Sequence, residues 1–395
     1  MNLFKSTWKG MTISTIALSA AAMLGGAGGQ ANAAINDLYV ASQNNSVYIV
    51  RTNASGVPTT LLTTLTVGTY PQVARANPSE SEVWVVNGGD ATITVINTSN
   101  FSQKTYSVGV AGINFPGYVV FNPFQNVAYI IDGGTNQVLF INTTTKKLLP
   151  VSVTVGNTPG YAGLSGDAST LYVSNYFDNT VSVVNVAAYS QTAVIKIPNT
   201  NPPGTKNPPN PCGTGTEATS GSSPQGVAVQ DPFVYVLNGY SNGLLSCADG
   251  GNGDIAFQES TVNVIAEWNN QIVGTVLAGG PAGTATGFSV NGNWLYATNT
   301  GNDDNPVNTL AVINPAARTG GPSKVITLPN GWNGVAETDA DPDPNDNLVY
   351  IAADQNGVSV LNSNTNNIVT QYALPADSNG VAFPVSIGIV THWSW

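Results

Sequence analysis

The amino-acid sequence predicts an all-β protein: a seven-bladed β-propeller of four-stranded antiparallel blades, with N- and C-terminal strands closing one blade together. Three observations predict it. A short strand centred on an aromatic residue, an Asn/Gly/Asp turn and an alternating strand recur in that order seven times. Val, Thr, Tyr and Ile fill the short runs, while Asn, Gly, Pro, Ser and Asp fill the gaps between them. Long amphipathic stretches of Leu, Lys and Glu are missing, so helices are expected to be rare.

The anchoring aromatics of the seven units are Tyr39, Trp84, Tyr129, Tyr172, Tyr235, Tyr296 and Tyr350, separated by 45, 45, 43, 63, 61 and 54 residues. A four-stranded blade takes about 40–45 residues, so the first units fit directly and the later ones carry insertions. An outermost strand follows each pair, as in 59–67 and 271–278. An innermost strand precedes each aromatic, in the segments 71–78, 116–123, 159–166, 224–231, 286–292, 333–340 and 379–386. Small residues in these segments suit strands crowded around a central channel. The chain meets Leu38-Tyr39, a second strand, almost at once, and the missing innermost strand lies at 379–389. The two ends are therefore expected to complete one blade and leave only short, protected edges.

Tyr172-Val173-Ser174-Asn175 with Asn179-Thr180-Val181-Ser182-Val183, and Tyr296-Ala297-Thr298-Asn299, resemble the YVTN-type β-propeller repeat. That repeat is common in secreted and surface proteins of bacteria and archaea. The resemblance spans residues 36–390. It implies an architecture and says little about activity, because unrelated functions share propeller folds.

Residues 1–33 have the pattern of a secretory signal peptide: Lys5 and Lys9, an apolar stretch from Met11, and Ala31-Asn32-Ala33 at the end. The propeller is expected over 34–395, in a secreted protein that is periplasmic, cell-surface or extracellular and does not insert into a membrane. Only 8% of residues are charged and the net charge is −11. Eleven scattered basic residues make no nucleic-acid footprint. A surface solvated by neutral amides and hydroxyls loses little when carboxylates protonate, which suits an acidic medium.

Two insertions, 199–223 and 239–260, each carry one cysteine. Loops alternate between the two faces of a propeller, and both insertions fall on the face that joins one blade to the next. A Cys212–Cys247 disulfide pinning them together is the expectation for an exported chain. The same face collects turn carboxylates, among them Asp90, Asp132 and Asp178, and the aromatics Tyr70, Phe115, Tyr118, Tyr161 and Trp332. Such a face could hold a sugar or another neutral polar ligand. Turns favour Asp for structural reasons as well. On the opposite face, Asp339, Asp341, Asp343, Asn345 and Asp346 alternate oxygen donors as calcium requires, but without the glycine and terminal glutamate of an EF-hand; a solvated acidic turn is the alternative. Arg75 and Glu337 stand at equivalent innermost positions, either paired across the channel or in contact with a ligand.

The single histidine, His392, rules out a multi-histidine copper or iron site, and no Ser/His/Asp set can be assembled. Two classes remain. The first is a binding or scaffold protein of the cell envelope or extracellular matrix that holds a protein or glycan partner through a propeller face. The second is a carboxylate- or metal-dependent hydrolase or lyase with its site at the channel mouth. The scarcity of groups that titrate near pH 7 favours the first.

Overall fold

The computed structural model describes residues 35–198, 222–240, 260–278, 285–291, 294–302, 305–328, 340–342, 347–353, 357–375 and 384–392. Among them are 28 strands in seven four-stranded antiparallel sheets, and no helix. Strands are numbered along the chain. Blade one consists of β1 (Ile35–Ser42), β2 (Ser46–Thr52), β3 (Pro58–Thr66) and, innermost, β28 (Pro384–His392). The innermost strands of blades two to seven are β4 (Pro71–Ala76), β8 (Pro116–Phe121), β12 (Pro159–Leu164), β16 (Ser222–Gln230), β20 (Ala285–Asn291) and β24 (Ala340–Pro342).

Burial explains why the strands read as they do. The second strand of blade two, Glu82–Asn87, is buried at every position after the first, because both faces of a blade's middle strands pack on neighbouring blades. Such strands become continuous apolar runs. The outermost strand of blade seven, Asn367–Ala373, alternates exposed and half-buried residues, which is the pattern of a strand with one wet face.

The core consists of seven apolar clusters, one at each interface between adjacent blades. The cluster between blades one and seven joins Leu38, Val40 and Ile387 to Leu348, Tyr350 and Val360. Seven interfaces for seven blades is the signature of a closed ring. All seven anchoring aromatics are buried. Two of their polar tips reach loop carbonyls of a neighbouring blade: the Tyr350 hydroxyl donates to Gly56 O at 2.9 Å, and Tyr235 to Pro315 O at 3.0 Å.

The chain ends meet as expected. β28 pairs with β1 from Ile35↔His392 to Ser42↔Pro384, and Val385, Ile387 and Val390 are buried. Beside this seam, Asp37 is fully buried and accepts a two-pronged ion pair from Arg51 on β2, at 2.7 and 2.8 Å. The fork geometry compensates for desolvating the carboxylate.

Register corrects two expectations. Among the described residues the innermost strand is 340–342 in blade seven and 384–392 in blade one, where 333–340 and 379–386 were expected. Residues opposite the anchoring aromatics are Arg75, Val120, Gly163, Ala228, Ser289, Asp341 and Gly388. Glu337 is therefore not equivalent to Arg75; Asp341 is. The cause is a misleading composition: the nine-residue spacing from Arg75 to Trp84 recurs from Asp341 to Tyr350, so the Asn-Gly-Val-Ala segment at 333–336 marks no equivalent position. Loop length adds a smaller shift. Blade five turns from its first to its second strand through residues 231–232 alone, whereas blade two uses 77–81. Counting from a motif therefore misses the pairing. Asp341 lies within a strand, so the five acidic-segment residues do not all belong to one loop. Residues 1–33, with the expected signal peptide, lie outside the described residues. Among the described residues no helix is long and apolar enough to cross a membrane.

Candidate functional site

The face that carries the blade-to-blade connections is held by side chains from the turns. The Asp90 carboxylate accepts Thr69 N–H at 2.9 Å, and Asp178 accepts Asn157 N–H at 2.7 Å. Asp132, fully buried, accepts Phe115 N–H at 2.7 Å, Gly134 N–H at 3.0 Å and the Thr135 hydroxyl at 2.6 Å, and it also bonds the Asn114 amide. These carboxylates therefore brace loops. Asn87 and Asn175, at equivalent ends of second strands, each donate to two hydroxyls of the neighbouring strand at 2.9–3.1 Å.

On this scaffold sits a cavity of about 440 Å³ at the channel mouth, within the range of roughly 300–1,000 Å³ typical of small-molecule sites. Its aromatic walls are Tyr70, Phe115, Tyr161 and Tyr176; its amides are Gln43, Gln72 and Gln225; its floor includes Gly117, Pro159 and Gly160. No Asp, Glu, Lys, Arg, His or Cys is among the described lining residues. Phe115 and Tyr70 are 42% and 45% exposed and lie 5.9 Å apart, with rings tilted at 50°. Large exposed aromatics at a concave surface provide stacking faces for a ligand. The Gln225 Oε1 is buried without a protein hydrogen-bond partner, an arrangement that favours a ligand donor.

Left-handed backbone occurs in turns all round the ring, and two instances lie at this rim. Tyr70 and Thr158, each preceding a proline, hold φ of 56° and 51°. Residues before proline prefer extended conformations, so the left-handed geometry is imposed. Asn45 and Asn136 impose it, each accepting the strained residue's N–H at 2.9 Å from the turn of the preceding blade. Strain of this kind recurs at ligand sites.

Tyr70, Phe115 and Tyr161 line the cavity. Tyr118 and Arg75 do not line it. They pair in the channel: the guanidinium stands 5.4 Å from the Tyr118 ring centre and donates to its hydroxyl at 3.1 Å. Arg75 also donates to Ile387 O at 3.2 Å and Ser386 Oγ at 3.4 Å, so it ties blades one, two and three together. Trp332, Glu337, Asp339, Asp343, Asn345, Asp346, Cys212 and Cys247 lie outside the described residues; Asp341 is placed by its backbone alone. The insertions that carry the cysteines nevertheless have a shared base. Ser222, at the end of the first, pairs with Tyr240, at the start of the second.

Sequence reasoning missed Gln43, Gln72, Gln225, Gly117, Gly160 and Tyr176. For the four innermost-strand residues the available signal was a recurrent proline dipeptide at or near the strand start: Pro71-Gln72, Pro116-Gly117, Pro159-Gly160 and Pro224-Gln225.

The opposite face carries an acidic cluster. Asp231 of blade five accepts Gly166 N–H of blade four at 3.0 Å. Burial, then the charge of and a hydrogen bond to Asp231, then the charge of Asp167, push the Glu267 carboxyl up to about 7. Asp167 is held below the usual range by the Ser165 hydroxyl at 2.6 Å and the Ser169 N–H. The signs differ. Between about 4.5 and 7 the folded state holds the Glu267 proton more tightly than the unfolded chain, so its contribution is present below 4.5 and lost as pH rises through 7. The Asp167 contribution is instead lost as pH falls through its lowered value. Lowering the pH from 8 to 5 is expected to raise the melting temperature by about 2 °C, a screened 1–2 kcal/mol in a chain of this length. Calorimetry on Glu267→Gln is expected to show most of that rise gone. Among the described residues no group of three His, Cys, Asp or Glu is arranged to hold a metal ion.

The chain is a seven-bladed β-propeller with a cavity at its channel mouth whose described lining residues are uncharged. Solved structures of similar shape include Kuenenia stuttgartiensis hydrazine synthase (13% identity, TM-score 0.58, covering 80% of this chain and 89% of that one). Apo AztD from Citrobacter koseri is 11% identical, with a TM-score of 0.55 over 91% of this chain and 98% of that one. Dihydro-heme d1 dehydrogenase NirN, solved in complex with DHE, is 10% identical, with a TM-score of 0.54 over 90% and 74%. At such identities the likeness shows the fold alone. No protein-family model matches the chain, and no curated protein matches it.

Proposed function

We propose that the chain is a secreted, YVTN-type binding protein of the cell envelope or extracellular matrix, which holds an uncharged, hydroxyl-rich glycan at the mouth of its channel. One observation carries this reading: a cavity of about 440 Å³ walled by four aromatic rings and three glutamines, with no acid or base among its described lining residues. Apolar ring faces of sugars stack on aromatics, and their hydroxyls need amide partners. Hydrolysis at the same place would need a proton donor or a metal-held water. Asp90, Asp132 and Asp178 are already committed to backbone N–H groups. A Cys212–Cys247 bridge would brace the two insertions rising from Ser222 and Tyr240, beside the cavity residues Pro224 and Gln225.

The test is a glycan array probed with the mature protein. Retention of neutral oligosaccharides, with sialylated and sulfated ones ignored, is the expected pattern. Exclusive retention of charged glycans, or of none at all, would contradict it.

A further inference from the structure

The four innermost strands that line the cavity share an irregularity. Their prolines pair with the last residue of the second strand: Pro71↔Asn87, Pro116↔Asp132, Pro159↔Asn175 and Pro224↔Asn238. The register then slips, between Pro71 and Val73, Pro116 and Tyr118, Pro159 and Ala162, and Pro224 and Gly226. The residue after each proline is thus the extra residue of a β-bulge. It is Gln72, Gly117, Gly160 and Gln225 in turn, and all four line the cavity. A bulge leaves its extra residue unpaired and re-aims it, which is why bulges gather beside binding sites.

The two glycines here are not explained by the fold. Neither adopts a positive φ. Among the described residues a Cβ on Gly160 would meet nothing within 4 Å, and one on Gly117 would meet only Gly160 O, at 3.7 Å. By contrast, a Cβ on Gly134, in the neighbouring turn, would come within 2.3 Å of Ile113 O. Backbone geometry and protein packing would therefore both accept a side chain at 117 and 160. What its absence leaves is open space in the cavity, bounded on one side by Gln72 and on the other by Gln225 with its unpartnered Oε1.

We propose that this bulge position is the specificity-determining position of the site. Gly117 and Gly160 keep a slot clear for one uncharged sugar ring, which lies over exposed backbone beneath Phe115 and Tyr161, and Gln225 Oε1 accepts a hydroxyl or acetamido N–H from it. The inference rests on the glycan-binding reading and adds which residues select the ring.

The test is calorimetric titration of the full mature protein with neutral trisaccharides (maltotriose, cellotriose, chitotriose), with choline and sialyllactose as charged comparators. Gly160→Leu and Gly117→Leu are expected to keep the melting temperature and lose about 30-fold or more in affinity for the best neutral sugar. Gly160→Ala, a single methyl in open space, is expected to fold identically and weaken binding by a few-fold. Gly321→Leu, at an exposed glycine elsewhere whose Cβ also meets nothing, is expected to bind like the parent. A parent that binds neutral sugar while both leucine variants bind equally well would overturn this inference and leave the glycan reading standing. A parent that binds only choline or sialyllactose, or nothing, would overturn both.

Discussion

Removing residues 384–395 is expected to abolish cooperative unfolding of the entire propeller. The deleted segment contains β28, the only strand that completes blade one. Val385, Ile387 and Val390 are 1–3% exposed, and losing three such side chains costs about 5–9 kcal/mol. That rivals the roughly 5–15 kcal/mol by which folded domains are stable. The loss spreads beyond blade one: β1 becomes an unpaired edge, and Arg75 loses Ile387 O and Ser386 as partners. Calorimetry is expected to show no transition near the parent temperature. A circular permutant that joins the native ends and opens the chain in the exposed turn at 99–100 keeps every strand pair, and is expected to melt near the parent. A truncated protein with an unchanged melt would show that the seam is dispensable.

Replacing Phe115 and Tyr161 together with alanine is expected to lower affinity for the best neutral glycan about 100-fold. Each ring contributes apolar area and a stacking face, about 1.5 kcal/mol apiece, and each 1.4 kcal/mol is tenfold. The fold is expected to survive, because Phe115 is 42% exposed and Tyr161 only half-buried. Asp132 still holds the loop through the backbone N–H of residue 115. Arg75→Met offers a contrast: it removes the tie among blades one to three, so its effect is expected in thermal stability rather than in affinity. Equal glycan affinity in the double alanine variant and the parent would place the ligand elsewhere.

Blade number and blade content could be read from the sequence because one packing requirement repeats seven times. Tyr39, Trp84 and Tyr350 are recognisable as anchors since each is buried between the same kinds of neighbours. Register in blades seven and one was not legible. The Asn-Gly-Val-Ala segments at 333–336 and 379–382 imitate an innermost strand in composition, while hydrogen bonding sets the pairing at Asp341↔Tyr350 and Gly388↔Tyr39. In the site, Tyr70 and Phe115 were visible as aromatics placed just before innermost strands. Gln72 and Gln225 were not. They lie 153 residues apart, and only curvature of the ring brings them to one cavity. Turn carboxylates such as Asp132 looked chemical in the sequence; in the folded chain the Asp132 oxygens are occupied by two backbone N–H groups, the Thr135 hydroxyl and the Asn114 amide.

The central claim is that the uncharged mouth of the ring is where ligand binds. A crystal structure of the mature protein soaked with the neutral oligosaccharide it binds best tests this most directly. The account predicts a sugar ring between Phe115 and Tyr161, over Gly117 and Gly160, with a hydroxyl or amide N–H on Gln225 Oε1. A sugar ordered instead on the outer strands or against the Asp231–Glu267 face, with the mouth filled only by water, would contradict it.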